Sequence, residues 1–286
     1  MSLYRDVFYD SADGLRLHAR DYGDEHAPLA VLCLPGLSRN ARDFEPVAER
    51  LAKRFRLICA EQRGRGQSAY DPKPENYHPG TYVGDMVTLL DHLRLPKVAI
   101  LGTSLGGLMA MILAAGWPDR VAGIVINDVG PEVAAEGLAK IQSYIDRITD
   151  VSTWDEAAAE VRTLSASVFP DYGPAEWERM ARQLYVEDGS GKLVLDYDAH
   201  IADTIKNIEP QALSIWPVFD GIQGIPFGLL RGALSNILSP AVMAEMKKRR
   251  PDIVSAEIPQ VGHAPNLDEA ASRAVIDQVL GAIPAR

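Results

Sequence analysis

The amino-acid sequence predicts an α/β fold: a mostly parallel eight-stranded sheet with helices on both faces and a helical insertion between two of its strands. Three observations carry that expectation. Short apolar runs of strand length alternate with segments of helical period, the pattern of a parallel sheet whose crossovers are helices. The first two extended runs are joined instead at Asp13-Gly14, a two-residue hairpin signal, so the sheet opens with an antiparallel ribbon. The alternation is broken once, from about Pro131 to Ile215, where helix-like segments follow one another without a buried strand.

Taken in order, Leu3–Tyr9 and Leu15–Tyr22 are the ribbon. Leu29–Leu34 and Phe55–Ala60 are the next two strands, with the amphipathic segment Phe44–Arg54 between them. Thr81–Leu93 has helical period and leads to the strand Val98–Leu101; a small-residue helix, Ser104–Ala115, leads to Val121–Ile126. Phe227–Arg231 and Ile253–Ile258 complete the eight. Inside the insertion, Ala134–Ile148, Thr153–Ser165 and Pro174–Tyr185 are helix-like, and Asp188-Gly189-Ser190-Gly191 marks a hairpin. No repeat, low-complexity tract or linker separates these parts. The expected organisation is a core domain of residues 1–130 and 216–286 carrying 131–215 as a helical cap.

The 286 residues carry 29 Lys and Arg against 39 Asp and Glu, a net charge of −10. A protein built to neutralise phosphates concentrates its cations. The dense cationic run here, Lys247-Lys248-Arg249-Arg250, reads as the solvated end of a helix with Ser239 as N-cap and Pro240 at its first position. Nucleic acid is therefore not an expected partner. No stretch reaches the roughly 18 apolar residues of a membrane span, and Met1–Asp6 lacks the basic-then-apolar order of a signal peptide. A cytoplasmic protein acting on a small molecule, without a membrane partner, is the expectation; nothing in the sequence sets an oligomeric state. Cys33 and Cys59 each lie in an apolar run and read as reduced core thiols, and no Cys or His pair has metal-ligand spacing.

The chemistry-bearing segment is Gly102-Thr103-Ser104-Leu105-Gly106-Gly107, which follows a buried strand and opens an apolar helix. A serine on a sharp strand-to-helix turn needs small residues on either side, because the backbone is strained there and side chains would collide with the adjoining elements. Gly102 and Gly106 provide the room, so Ser104 is the expected nucleophile.

Further segments stand in order around it. Leu34-Pro35-Gly36-Leu37 follows the third strand, Gln62-Arg63-Gly64-Arg65-Gly66-Gln67-Ser68 the fourth, and Val261-Gly262-His263-Ala264-Pro265 the last. Together with the serine turn they resemble the α/β-hydrolase family over nearly the whole chain. The resemblance implies a Ser–acid–His order, no cofactor and no metal. A hydroxyl needs a base to take its proton as it attacks. Two histidines follow Ser104: His200, inside the insertion, and His263, after a strand and between a glycine and a turn, which is the expected base. By the same analogy the N–H groups of Leu37 and Leu105 form the oxyanion hole.

The acid is less settled. In the family it usually lies in the loop after the strand that follows the insertion, here Gly232–Leu238, and the matching position holds Asn236. An amide can donate to the imidazole and hold the wrong tautomer, where a carboxylate only accepts. The alternative acid is Asp128, just past the sixth strand, where some family members, including certain dehalogenases, carry theirs. Both positions stay open in the sequence.

A serine at the turn argues against the dehalogenases and epoxide hydrolases of the family, which use an aspartate there. It implies hydrolysis of a small, largely apolar ester or lactone through an acyl-enzyme. Alternatives on the same fold are cleavage of a C–C bond next to a ketone, cofactor-free dioxygenation, and ligand binding without catalysis. Trp216, Phe219, Trp154 and Tyr144 are candidate substrate contacts, and Phe169, Tyr172, Trp177 and Tyr185 are further aromatics of the insertion. No cationic pocket can be assigned, so nothing in the sequence points to a charged substrate.

Overall fold

The strands are β1 (Tyr4–Asp10), β2 (Arg16–Tyr22), β3 (Ala30–Leu34), β4 (Arg56–Glu61), β5 (Val98–Thr103), β6 (Val121–Asn127), β7 (Tyr185–Glu187), β8 (Leu193–Leu195), β9 (Phe227–Gly232) and β10 (Val254–Ile258). In the computed structural model, which describes residues 3–133, 135–145, 151–206 and 214–284 apart from the side chains at 140 and 144, all but β7 and β8 form one sheet. Its order is β1-β2-β4-β3-β5-β6-β9-β10. The β1–β2 ribbon turns at Gly14, whose φ of +84° suits a residue without Cβ. β2 is antiparallel to β4, and every later pairing is parallel.

Central strands β3, β4 and β9 are buried along their whole length, so their side chains alternate between two apolar layers rather than between core and water. Val31, Cys33, Leu57, Cys59, Leu101 and Leu230 meet helices α1 (Glu45–Leu51) and, from the chain's end, Ala270–Gly281. Leu32, Leu34, Ile58, Ile100, Ile126 and Leu229 meet α2 (Pro79–His92) and α3 (Leu105–Gly116) on the opposite face. Cys33 and Cys59 are register partners across β3 and β4, both free. Burial pushes the Cys59 thiol well up, away from reactivity.

Between β6 and β9 lie α4 (Ala135–Tyr144), α5 (Trp154–Ser165), α6 (Pro174–Leu184), the β7–β8 hairpin and α7 (Asp203–Lys206). The first expected helix of this stretch extends at Ala134 and 146–148 beyond the described residues. Thr153 and Glu156 close a capping box on α5. Val161, Phe169, Trp177, Ala181, Tyr185 and Leu193 form an apolar cluster of the insertion's own. Several contacts hold it to the rest of the chain. Asp196 pairs with Arg42 at 2.6 Å, and the N–H of Asp198 donates to the Gly64 carbonyl at 2.8 Å. The Gly262 N–H donates to the Val168 carbonyl at 2.7 Å, so close that a Cβ on Gly262 would lie 1.9 Å from Val168 Cγ1.

After β9 the chain continues through α9 (Pro240–Arg249) and, beyond β10, α10 (Ala270–Gly281); α8 (Trp216–Asp220) precedes β9. Ser239 caps α9, accepting from the Val242 N–H at 3.1 Å. The cationic run at its end is only partly solvated. Arg249 lies over the Trp216 ring at 4.2 Å, and Arg250 is buried and donates to the Ile222 carbonyl, because guanidinium stems cover apolar surface while their nitrogens reach polar atoms. Among the described residues no helix is long and apolar enough to cross a membrane.

Candidate active site

Ser104 occupies the turn between β5 and α3 at φ 54°, ψ −117°, a backbone conformation that a non-glycine residue adopts only under constraint. The constraint is tight packing. A Cβ at Gly102 would lie 2.3 Å from the Gly106 carbonyl oxygen, and one at Gly106 would lie 2.0 Å from that of Leu34. The Ser104 N–H donates to the Asn127 carbonyl at 2.9 Å, tying the turn to the end of β6.

His263, in the loop after β10, reaches this turn. Its Nε2 is 2.9 Å from Ser104 Oγ and its Nδ1 is 2.7 Å from Asp128 Oδ2. Asp128 is fully buried, and it also accepts from the Gly232 N–H at 2.9 Å and the Ser235 hydroxyl at 2.6 Å. A carboxylate that accepts at Nδ1 holds the proton there, leaving Nε2 to accept from the serine. Asn127 Nδ2 donates to the Pro265 carbonyl at 2.8 Å and so holds the His263 loop from below.

Asn236 lines the same cavity but makes no hydrogen bond to the ring. Of the two positions the sequence left open, Asp128 and not Asn236 is in contact with the His263 ring. The reason lies in strand order. β6 sits between β5 and β9, so the residue just past its end stands beside the serine turn. The loop after β9 turns Ser235, not Asn236, toward that point, and the Asn236 backbone packs against Gly137 of α4 instead.

Among the described residues, neither the Leu37 nor the Leu105 N–H donates to a protein acceptor, and Gly36 packs against the Ser104 side chain. The Leu37 loop is held from the β4 side. Arg65, fully buried, donates from Nε to the Leu37 carbonyl at 2.8 Å and from another nitrogen to the Tyr82 hydroxyl at 3.0 Å. Gln62 Nε2 donates to the Pro35 carbonyl at 3.2 Å. Arg63 anchors the segment itself, pairing with Asp13, Asp71 and Asp85 at 2.9, 2.5 and 2.7 Å. That guanidinium holds the Asp13 carboxyl well below its ordinary range, whereas burial pushes Asp85 up. Sequence reasoning recognised the segment but assigned these residues no task; a run with two arginines between glycines next to a buried strand was the available signal.

Ser104 and His263 open into a cavity of about 300 Å³ between the sheet and the insertion. Leu37, Ile141, Val168, Phe169, Tyr172, Tyr185 and Tyr197 supply much of its lining. Three foremost aromatic candidates lie elsewhere. Phe219 is buried in the core edge-on to Phe227, and Trp216 donates to Glu132 beneath Arg249. Trp154 donates to Glu187 and lies under Arg182. Their rings pack the joints of the insertion, which is the commoner fate of aromatics at helical spacing. The side chain of Tyr144 lies outside the described residues. Two cations that the sequence could not assign to a pocket, Arg39 and Arg179, line the cavity. Among the described residues no group of three or more His, Cys, Asp or Glu side chains is placed to hold a metal ion.

This geometry can be set beside known proteins. Residues 30–270 match a family model described as alpha/beta hydrolase fold, and the chain belongs to that family. It is 35% identical over 271 residues to a protein of Cupriavidus necator named 3-hydroxybutyrate-oligomer hydrolase, covering 92% of each chain. It is 29% identical to a 2-(acetamidomethylene)succinate hydrolase of Mesorhizobium japonicum, over 88% of this chain and 86% of the other. The crystal structure of an alpha/beta hydrolase from Novosphingobium aromaticivorans has a TM-score of 0.92 at 44% identity, covering 98% and 99% of the two chains. The protein is a hydrolase.

Proposed function

We propose that this hydrolase cleaves short carboxylic esters or lactones through an acyl-enzyme on Ser104, with His263 as general base and Asp128 as the acid that orients it. The observation that carries the reading is the unbroken line of hydrogen bonds from Ser104 Oγ through both ring nitrogens to the buried Asp128. In the first step Ser104 Oγ attacks the ester carbonyl as its proton passes to Nε2. The tetrahedral oxyanion accepts from the Leu37 and Leu105 N–H groups, which among the described residues have no protein acceptor to give up. The C–O bond to the alcohol then breaks, and His263 hands that alcohol the proton. Water repeats the sequence on the acyl-enzyme, releasing the acid and restoring Ser104. Residues 131–215 act as a cap over the reacting carbonyl. A relative named for hydrolysis of 3-hydroxybutyrate oligomers supports an ester substrate.

A fluorophosphonate probe tests this directly. The folded protein should gain one phosphonyl group, located by peptide mass spectrometry at Ser104, and heat-denatured protein should gain none. A folded protein that leaves Ser104 unmodified under saturating probe would sink the acyl-enzyme reading and leave ligand binding.

Ser235 has a positioning task in this scheme, since its hydroxyl holds the Asp128 oxygen that faces the imidazole. Ser235→Ala is expected to lower kcat by roughly tenfold, about 1.4 kcal/mol in the barrier, with KM nearly unchanged, and to lower the melting temperature as well, because the hydroxyl also accepts from the Ile237 and Leu238 N–H groups at 3.1 and 3.3 Å. Steady-state kinetics on a p-nitrophenyl ester well below the melting temperature separates the two roles: a merely structural one leaves the kcat of the folded protein unchanged.

A further inference from the structure

The cavity has one pole at Ser104 and His263, and its other charged groups are not equivalent. Helix α6 presents Glu176, Arg179, Met180, Gln183 and Leu184 to it, a stripe at helical spacing. Four acids lie at or beside the cavity, and each is engaged within its own segment. Glu176 caps α6 by accepting from the Gly173 N–H at 3.0 Å. Asp43 takes both prongs of Arg39 at 2.6 and 2.7 Å. Asp268 pairs with Arg273 at 2.7 Å, and Glu269 accepts from the Asn266 N–H at 2.8 Å. Arg39 is thereby neutralised, and Gln183 accepts from it as well.

Arg179 differs. Among the described residues it has neither a hydrogen bond nor an ion pair, although its field reaches the Tyr172 hydroxyl. That hydroxyl accepts from Asn266 Nδ2 at 3.3 Å, three residues past His263, so the cation stands on the side of the cavity that faces the catalytic loop. A cavity-lining guanidinium with its carboxylate-binding fork unfilled is matched by a substrate carboxylate.

We infer that Arg179 is a specificity residue that docks a free carboxylate of the substrate, and that the substrate class is therefore the monoanionic ester of a short hydroxy acid or dicarboxylic acid. The inference rests on the ester-hydrolase reading and deepens it. The carboxylate remains bound through Arg179 while Ser104 attacks the ester carbonyl several bonds away, so the charge fixes which end of the substrate enters. The rest of the lining, Leu37, Val168, Phe169 and Ile237 among it, takes the alkyl part.

The test compares p-nitrophenyl hydrogen glutarate with its neutral methyl ester, in wild type and in Arg179→Gln. Arg179 is exposed, and an ion pair at an exposed site is weak. The acid monoester is therefore expected to lose up to roughly fivefold in kcat/KM, about 1 kcal/mol, through KM, with the neutral ester unaffected. Arg179→Lys should recover part of the loss, and the wild-type preference should shrink with added salt. Equal losses on both esters, or no loss on the acid, would overturn the proposal. Calorimetric binding of glutarate to wild type and Arg179→Gln is read in parallel. If glutarate binds wild type more tightly but neither ester is cleaved, the ester-hydrolase reading fails while the carboxylate site stands. Equal binding to both proteins overturns the site itself.

Discussion

Asp128→Asn is expected to lower kcat by about 10⁴-fold, the size of the same change in a well-studied serine protease, with the fold retained. Three donors converge on this one side chain: the Nδ1–H of His263, the N–H of Gly232 and the hydroxyl of Ser235. A carboxylate accepts from all of them. An amide has one accepting oxygen and one NH₂. Turned one way, the NH₂ opposes the Gly232 N–H and leaves a buried donor unpaired, at a cost of about 1–3 kcal/mol. Turned the other way, it donates to Nδ1, moves the ring proton to Nε2 and removes the acceptor that Ser104 needs. The partner experiment is Asn236→Asp, which should leave kcat unchanged because position 236 does not touch the ring. If Asn236→Asp instead raised turnover by orders of magnitude while Asp128→Asn changed little, the acid would belong at 236. Intact-mass analysis should accompany the assay, since deamidation of an asparagine would restore activity to a trace of the sample.

The largest expected loss of stability comes from Gly106→Ala. The new Cβ would stand 2.0 Å from the Leu34 carbonyl oxygen and 2.6 Å from its carbon. Both are backbone atoms of a buried central strand, so no rotamer change relieves the contact, and α3 must move away from β3. Overpacking commonly costs about 1–3 kcal/mol; with a backbone obstacle at this distance the expected loss is at least about 3 kcal/mol, read by urea denaturation. Any fraction that still folds should label poorly with fluorophosphonate, because shifting α3 carries Ser104 and the Leu105 N–H with it. Gly84→Ala is the control. Gly84 lies on the exposed side of α2 with nothing within 4 Å of its Cβ position, so there alanine should stabilise by about 0.5–1 kcal/mol.

Much of this site was readable before any coordinates. Gly102-Thr103-Ser104-Leu105-Gly106 declares itself because the strain of the turn restricts which residues can stand next to the serine, and that restriction is local. The central strands were legible for a similar reason, since burial on both faces demands continuous apolar runs, as in β3, whereas the ribbon of β1, which is largely exposed, and β2 was legible from its Asp13-Gly14 turn. Helix α10 escaped notice although Val275, Ile276, Val279 and Leu280 have the spacing of a core face. The misplaced pocket aromatics show the limit of composition. Trp154, Trp216 and Phe219 are as apolar as Phe169 and Tyr172, and only their neighbours distinguish a joint from a lining.

What the sequence alone determined was the serine turn, the histidine loop and the order of elements that carries them, since each follows from constraints acting over a few consecutive residues. The choice between Asp128 and Asn236 was different in kind. Both are short polar residues just beyond a strand end, separated by more than a hundred positions, and both are compatible with their own local sequence. Which of them reaches the His263 ring was decided by the packing of β6 between β5 and β9 and by the two donors, Gly232 and Ser235, that the β9 loop turns toward Asp128. That Arg179 has no ion-pair partner among the described residues was likewise invisible in a chain of 29 Lys and Arg. Whether a cation has a partner depends on which acids come within about 4 Å, and the chain settles those distances only when it folds.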